Sequence, residues 1–254
     1  MKNAILEKLA EVVQGPFGYP RWSQRELDPT LPAYSIAGRG DSILSGAIQC
    51  LIVGMEEEAK ELLAKSDLLM TTALQRALAG ESIQNEEACH FYLAQCRWLA
   101  GPPAIPPDLS RACRLLNESA ATATRHTFPD VFEWVLPRWL DAEKAEECVT
   151  AFERFQPAYP PARRRHHSPA AMSYLLARQR VRHTLSGTEL VKLADDFLAR
   201  QVPDFLINGW YLDYARWVKL ITGADSGPAA RAAIREIAER YTADRTTPAP
   251  RRST

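Results

Sequence analysis

The stretch "EEEAKELLAKS", residues 56–66, carries the pattern that decides the fold of this chain. Its apolar residues Ala59, Leu62 and Leu63 stand at positions i, i+3 and i+4, which places their side chains on one face of an α-helix. The same triplet recurs four times along the chain, at residues 112–116, 148–152, 190–194 and 230–234. Five such amphipathic segments predict a protein whose core is built by helices.

A helix stopper precedes each of these segments. The apolar stretches before them end at Gly54, Gly101, Asp141, Gly187 and Gly223. Glycine adopts the left-handed backbone conformation that ends a helix without strain, so each unit is predicted as helix, tight turn, helix. Successive triplets begin 53, 36, 42 and 40 residues apart, which is near the periods of paired-helix repeats.

These observations predict an all-α fold of ten or eleven helices, arranged as stacked antiparallel hairpins in an irregular α-solenoid or a tetratricopeptide-like bundle. No stretch alternates apolar and polar residues as a half-buried strand would. We expect one repeat-like domain over residues 1–241 and a disordered tail over residues 242–254, which has no apolar anchor. Residues 15–40 are rich in proline, glycine and aromatic side chains, and they predict a long loop packed against the helices.

Two segments of the chain resemble a known repeat family. "GMEEEAKELLAKS" and "AEECVTAFERFQP" are similar to the second helix of a tetratricopeptide-type repeat, with Ala59 or Cys148 at the small packing position. The spacing of the units exceeds the 34 residues of that family, and the first helices lack its tryptophan, leucine-glycine and tyrosine series. The resemblance implies a curved scaffold that binds other proteins.

Charge and composition exclude several classes of partner. The 254 residues contain 31 basic and 31 acidic side chains, so no overall field attracts nucleic acid or an anionic membrane. Charged residues interrupt the apolar positions of "MKNAILEKLAEVV", and no run of 18 apolar residues exists, so neither a signal peptide nor a membrane span is predicted. Five cysteines form no disulfide framework. We therefore expect a cytoplasmic protein without a membrane partner.

Motifs for catalysis and metal binding are sparse. Glu87 and His90 form one E-x-x-H spacing, whereas a carboxylate-bridged diiron bundle requires two. The chain has no G-x-S-x-G elbow, no H-E-x-x-H helix and no phosphate-binding loop. "AGRGDS", residues 37–42, is instead predicted to begin a helix with Asp41 as its N-cap. We expect no catalytic residue, no metal and no cofactor, with a helical enzyme or metal-binding protein near Glu87 and His90 as the alternative.

Several aromatic and arginine side chains are candidates for a partner-binding surface, because tryptophan, tyrosine and arginine dominate the energetics of interfaces. The candidates on predicted helices are Arg97, Trp98, Trp134, Arg138, Trp210, Tyr211 and Trp217. A basic run adds Arg163, Arg164 and Arg165, followed by two histidines. A solvated loop explains this run in an arginine-rich chain, and a regulatory adaptor that binds nucleic acid through residues 163–167 is the alternative.

Taken together, the sequence predicts a non-enzymatic cytoplasmic scaffold that binds another protein. Within this class, a bacterial immunity protein that neutralises a cognate toxin domain is a specific hypothesis, because a small helical scaffold suits stoichiometric inhibition. A regulatory or assembly adaptor fits the same physical properties. The identity of the partner is not encoded in any motif of the chain.

Overall fold

The chain folds into α-helices. The structure is a computed structural model in which residues 3–101, 108–122, 128–155, 168–225 and 227–243 are described. Within these ranges there are eleven helices of 11 residues or more, one helix of five residues, and no strand. The prediction of an all-α fold is confirmed.

The described residues form twelve helices. In chain order they are α1 (Ala4–Gln14), α2 (Tyr19–Ser23), α3 (Ala33–Ile52), α4 (Glu56–Leu78), α5 (Glu86–Ala100), α6 (Ser110–Ala121), α7 (Phe128–Asp141), α8 (Ala145–Phe155), α9 (Pro169–Arg182), α10 (Gly187–Asn208), α11 (Tyr211–Thr222) and α12 (Gly227–Ala243).

Internal packing divides the chain into two compact units, where the sequence predicts one domain over residues 1–241. Unit 1 comprises residues 1–106 and 202–254, and unit 2 comprises residues 107–201. The predicted hairpin between α5 and α6 is therefore split, because α5 belongs to unit 1 and α6 to unit 2. Helix α10 begins in unit 2 and ends in unit 1.

Unit 1 is closed by its own C-terminal helices. Helices α3 and α4 form the longest hairpin, α5 packs against α4, and α12 packs against α1, α3 and α5. The guanidinium of Arg231 in α12 donates to the carbonyl of Leu99 in α5 at 2.9 Å. Gly227 lies so close to Gly101 that a Cβ on Gly227 would stand 2.7 Å from the Gly101 Cα. In an open repeat array each unit contacts only its neighbours, whereas here the two ends of the chain meet.

Three of the five predicted helix stoppers are confirmed. Gly54, Gly101 and Gly223 have φ values of +85°, +134° and +63° and end α3, α5 and α11. After α7 the left-handed residue is Glu143, with φ +60°.

The prediction of Gly187 as a stopper is wrong. Helix α9 ends at His183, which has φ +48°, and Gly187 begins α10. The side chain of Gln179 explains this end of α9, because it bonds both the N–H and the carbonyl of Leu185 and fixes the turn without glycine.

Half of the predicted loop over residues 15–40 is helical. It contains α2 and the first turns of α3, so Asp41 lies inside α3 and is not an N-cap. Close packing against neighbouring helices explains two of the three glycines in this helix. A Cβ on Gly40 would stand 2.6 Å from Met70 Cγ, and one on Gly46 would stand 2.6 Å from the ring of Trp22.

At the C-terminus, α12 runs two residues beyond the predicted end at 241, and Thr242 is fully buried. Residues 244–254 of the predicted tail lie outside the described residues. The five cysteines are free, and four of them are buried. Burial raises the pKa of Cys96 and Cys148 to about 12, so these thiols stay protonated and pack as small apolar groups.

Candidate functional site

A groove runs along one face of unit 2, between α6 and α8, with α7 beneath it. It consists of two adjoining cavities of about 420 and 550 Å³. The two cavities share the lining residues Asn117, Trp139 and Glu147. Because they meet at these residues, the cavities form one continuous depression, which we call the α6–α8 groove.

The floor of the α6–α8 groove is aromatic. Trp139 and Phe132 of α7 are 6% and 1% exposed. Their ring centroids lie 6.1 Å apart in an edge-to-face arrangement, and Phe132 lies 5.4 Å from Phe155 of α8. Such aromatic contacts stabilise the floor, in which only a small part of the Trp139 and Phe132 rings is open to the groove.

Each wall of the groove is one face of a helix. The wall residues of α6 are Ser110, Cys113, Arg114, Asn117, Ala120 and Ala121. The wall residues of α8 are Glu146, Glu147, Thr150, Ala151 and Arg154. The positions on each helix recur at intervals of three and four residues, so they face one side, while Leu116 and Phe152 of the same helices are buried on the other side.

The groove is long enough for about three turns of a helix. It begins at Leu109 and Lys144 and ends at Ala121 and Phe155, so α6 and α8 run in the same direction along it. Eleven residue steps of an α-helix correspond to about 17 Å. The rim carries charges of both signs, with Lys144 paired to Glu147 at 3.5 Å and Arg154 placed 5.2 Å from the Phe155 ring centroid.

Arg97 and Trp98, two predicted surface residues, tie helices of unit 1 together. The Arg97 guanidinium donates to both carboxylate oxygens of Asp67 in α4, at 2.7 and 3.1 Å. This pairing raises the pKa of Arg97. Trp98 is 9% exposed, and its indole N–H donates to the carbonyl of Ala224 at 2.8 Å. Both side chains therefore stabilise the fold.

Trp134 and Arg138 form a contact within α7. The guanidinium carbon of Arg138 lies 3.2 Å from the Trp134 ring centroid, and Arg138 is 1% exposed. Arg138 lines neither cavity of the α6–α8 groove and packs on Trp134, so it is removed from the list of surface candidates. The groove residue is the neighbouring Trp139, which points elsewhere since one residue step rotates a side chain by about 100°.

The aromatic group at the start of α11 is divided between surface and core. Trp210 is 53% exposed, and its ring centroid lies 6.2 Å from that of Phe205. Tyr211 is half-buried and donates its hydroxyl to the carbonyl of Leu206. Trp217 is fully buried and is also removed from the surface candidates. Trp217 lies three residues after the buried Tyr214, on the core-facing stripe of α11.

The alternative site at Glu87 and His90 gains no support from the geometry. His90 faces Glu86, with its Nε2 3.5 Å from a carboxylate oxygen. Among the residues that the structure describes, no three His, Cys, Asp or Glu side chains are grouped so that they could hold a metal ion. The basic run Arg163, Arg164 and Arg165 lies outside the described residues.

Sequence reasoning missed the α6–α8 groove, although a signal for it exists. On the two walls of the groove, positions such as Cys113, Ala121, Thr150 and Ala151 carry small or weakly polar side chains. A solvated helix face normally carries long charged side chains. Small side chains on two neighbouring helices leave room for a depression between them.

In comparisons with known proteins, no protein-family model, curated protein or solved structure matches this chain. The tetratricopeptide resemblance therefore stays a prediction. No helix within the described ranges has both the length and the apolar content needed to cross a bilayer.

Proposed function

We propose that this chain is a non-enzymatic, cytoplasmic binding protein whose α6–α8 groove holds an amphipathic helix of a partner protein. The observation that carries the proposal is the aromatic floor of Trp139 and Phe132 between two exposed helical walls. Grooves of this kind accept the apolar face of a helix through anchors at i, i+4 and i+7.

The walls favour a helix over an extended peptide as the occupant. Main-chain groups of α6 and α8 already bond within their own helices, so they offer no strand edge to which an extended peptide could bond. An α-helix satisfies its own main-chain groups and needs only side-chain contacts from the groove. The rim supplies charges for its polar flanks, because Arg114 and Arg154 attract acidic side chains and Glu146 attracts a basic one.

A variant that fills the groove tests the proposal. Ala151→Arg places a long charged side chain in the groove, and Ala199→Arg makes the same change on an exposed face of α10. Each tagged protein is used for affinity purification followed by quantitative mass spectrometry. We expect certain partner proteins to copurify with the parent protein and with Ala199→Arg. Their recovery with Ala151→Arg is expected to be at least tenfold lower. Equal recovery by all three proteins would remove the groove as the binding site.

The immunity hypothesis is the specific form of this proposal. Toxin-domain genes that neighbour the gene of this chain are expressed in a bacterial host, alone and together with the chain. We expect coexpression to restore growth and Ala151→Arg to abolish this protection while Ala199→Arg retains it. Growth arrest that continues in the presence of the parent protein would reject the immunity role and leave the adaptor form of the proposal.

A further inference from the structure

Three arginines of unit 1 converge where α2 lies across α3. Arg39, Ser42 and Gly46 of α3 stand at i, i+3 and i+7, so they share one helix face. The ring of Trp22 in α2 packs on Gly46, and Arg25, just after α2, donates to the Ser42 hydroxyl oxygen at 3.1 Å. Because Ser42 lies one helical turn after Arg39 in α3, this hydrogen bond places Arg25 near Arg39.

The positive charges of this group act on one another. Burial lowers the pKa of Arg25, and the neighbouring charges of Arg21 and Arg39 lower it further. Arg21 is exposed, and Arg25 and Arg39 are half-buried. Within the described part of the chain, none of the three forms an ion pair with a carboxylate.

Two acidic groups near this cluster, Asp28 and Asp41, form no ion pair with its arginines among the described residues. Asp28 accepts hydrogen bonds from the N–H and hydroxyl of Thr30, and these bonds lower its pKa more than the charge of Arg39 does. Burial raises the pKa of Asp41 to about 6, whereas an arginine partner would lower it. On the α4 side of α2, Lys65 pairs with Glu61 at 2.9 Å.

We propose that Arg21, Arg25 and Arg39 form a binding site for the phosphate group of a phosphorylated ligand. Like charges held together without an ion-paired carboxylate destabilise the free protein, even with the attraction between Arg39 and Asp28, and a bound dianion reduces this repulsion. The guanidinium group matches the oxygens of phosphate through paired hydrogen bonds. The Ser42 hydroxyl, which accepts from Arg25, has its own proton left to donate to a phosphate oxygen.

Inorganic phosphate is the first probe. The melting temperature of the parent protein is measured in phosphate and in chloride at equal ionic strength, and binding is measured by calorimetry. We expect one saturable site and a rise of about 2–4 °C in phosphate. Arg39→Gln is expected to weaken phosphate binding at least tenfold, whereas Arg180→Gln, a change at an exposed arginine of α9 outside the α6–α8 groove, is expected to bind phosphate as the parent does.

A second readout separates loss of the site from loss of the fold. Without phosphate, Arg39→Gln is expected to melt at or above the temperature of the parent protein, because the substitution removes repulsion. No phosphate-specific shift in the parent protein would overturn the proposal. So would a phosphate response that Arg39→Gln retains, or one that Arg39→Gln and Arg180→Gln lose equally.

The source of the phosphate is distinguished by two further probes, O-phosphoserine and glycerol 3-phosphate. Tighter binding of the first identifies a phosphorylated protein side chain, and tighter binding of the second identifies a phosphorylated metabolite or lipid headgroup. Binding no tighter than that of inorganic phosphate identifies the free ion. A polyglutamate peptide that binds where all three phosphate probes fail would contradict the proposal and identify an acidic protein surface instead.

Discussion

Glycines within α3 show how the same residue type serves different purposes in one helix. A Cβ on Gly46 would meet the Trp22 ring, so the absence of a side chain allows α2 to lie on α3. A Cβ on Gly38 meets nothing within 4 Å. Only the tertiary contacts distinguish the two positions, because both look like helix breakers in the sequence.

Replacing each of these glycines with alanine is expected to have opposite effects on stability. Gly38→Ala should raise the free energy of unfolding by about 0.5–1 kcal/mol, because alanine restricts the unfolded chain and favours the helix. Gly46→Ala should lower it by about 1–3 kcal/mol through overpacking against Trp22. Urea denaturation of both variants measures these changes, and a stabilising Gly46→Ala would contradict the packing of α2.

Asp41 is expected to make the stability of unit 1 depend on pH. Burial raises its pKa from 3.8 to about 6, so the folded protein holds a proton that the unfolded chain releases between these values. The free energy of unfolding therefore falls as the pH rises from about 4 to about 6, and the loss persists at higher pH. Asp41→Asn should raise the free energy of unfolding by about 1–2 kcal/mol at pH 7.5, after allowance for solvent screening, and should change it little at pH 4.

Asp28→Asn is the matched control for this pH effect. Hydrogen bonds from Thr30 lower the pKa of Asp28, so its contribution to stability is present at neutral pH and is lost as the pH falls through the pKa of the folded state. Asp28→Asn should thus destabilise slightly at pH 7.5 and not at low pH. Denaturation curves of both variants that show the same pH dependence would contradict the assignment for Asp41.

At the scale of elements, the sequence predicted the helical hairpins but not the roles of their faces. The apolar triplets of α4 and α8 are buried at Ala59, Leu62, Leu63, Cys148 and Phe152, in agreement with the period of the sequence. The opposite faces were assigned to solvent or to a partner by residue type alone. Residue type could not separate Trp134 from Trp139, because the rotation of a helix in its bundle is set by its neighbours.

Arg97 is expected to join α5 to α4 rather than to contact a partner. A double-mutant cycle of Arg97→Ala and Asp67→Ala should show a coupling energy of about 1 kcal/mol, since the pair is bidentate and partly buried. Chemical denaturation of the two single variants and the double variant supplies the measurement. A coupling energy near zero would return Arg97 to the candidates for a partner-binding surface.

At the scale of the whole molecule, unit 1 depends on residues from both ends of the chain. Besides the Arg231 bond to Leu99, Arg235 of α12 pairs with Glu56 at 2.7 Å, and Asn3 at the N-terminus of α1 bonds the hydroxyl of Thr242. An open repeat array tolerates loss of its last repeat, because each repeat contacts only its neighbours. A closed unit is not expected to tolerate the loss of its last helix.

Removal of α12 is expected to abolish cooperative folding of unit 1. A chain that ends at Thr222 exposes the faces of α1, α3 and α5 that α12 covers, so hydrogen exchange should lose protection throughout α3 and α5. A chain that ends at Ala243 keeps α12 and should melt like the parent protein. Retention of protection in α3 and α5 without α12 would show that unit 1 behaves as an open array.

The sequence by itself determined the helices at the apolar triplets and the turns at Gly54, Gly101 and Gly223. These features depend on neighbours three or four residues apart, which are visible in the chain. Only the tertiary structure decided that α12 returns to α5, that Trp217 is core while Trp139 lines a groove, and that three arginines meet at α2 and α3. Such contacts join residues far apart in sequence, and no local pattern records them.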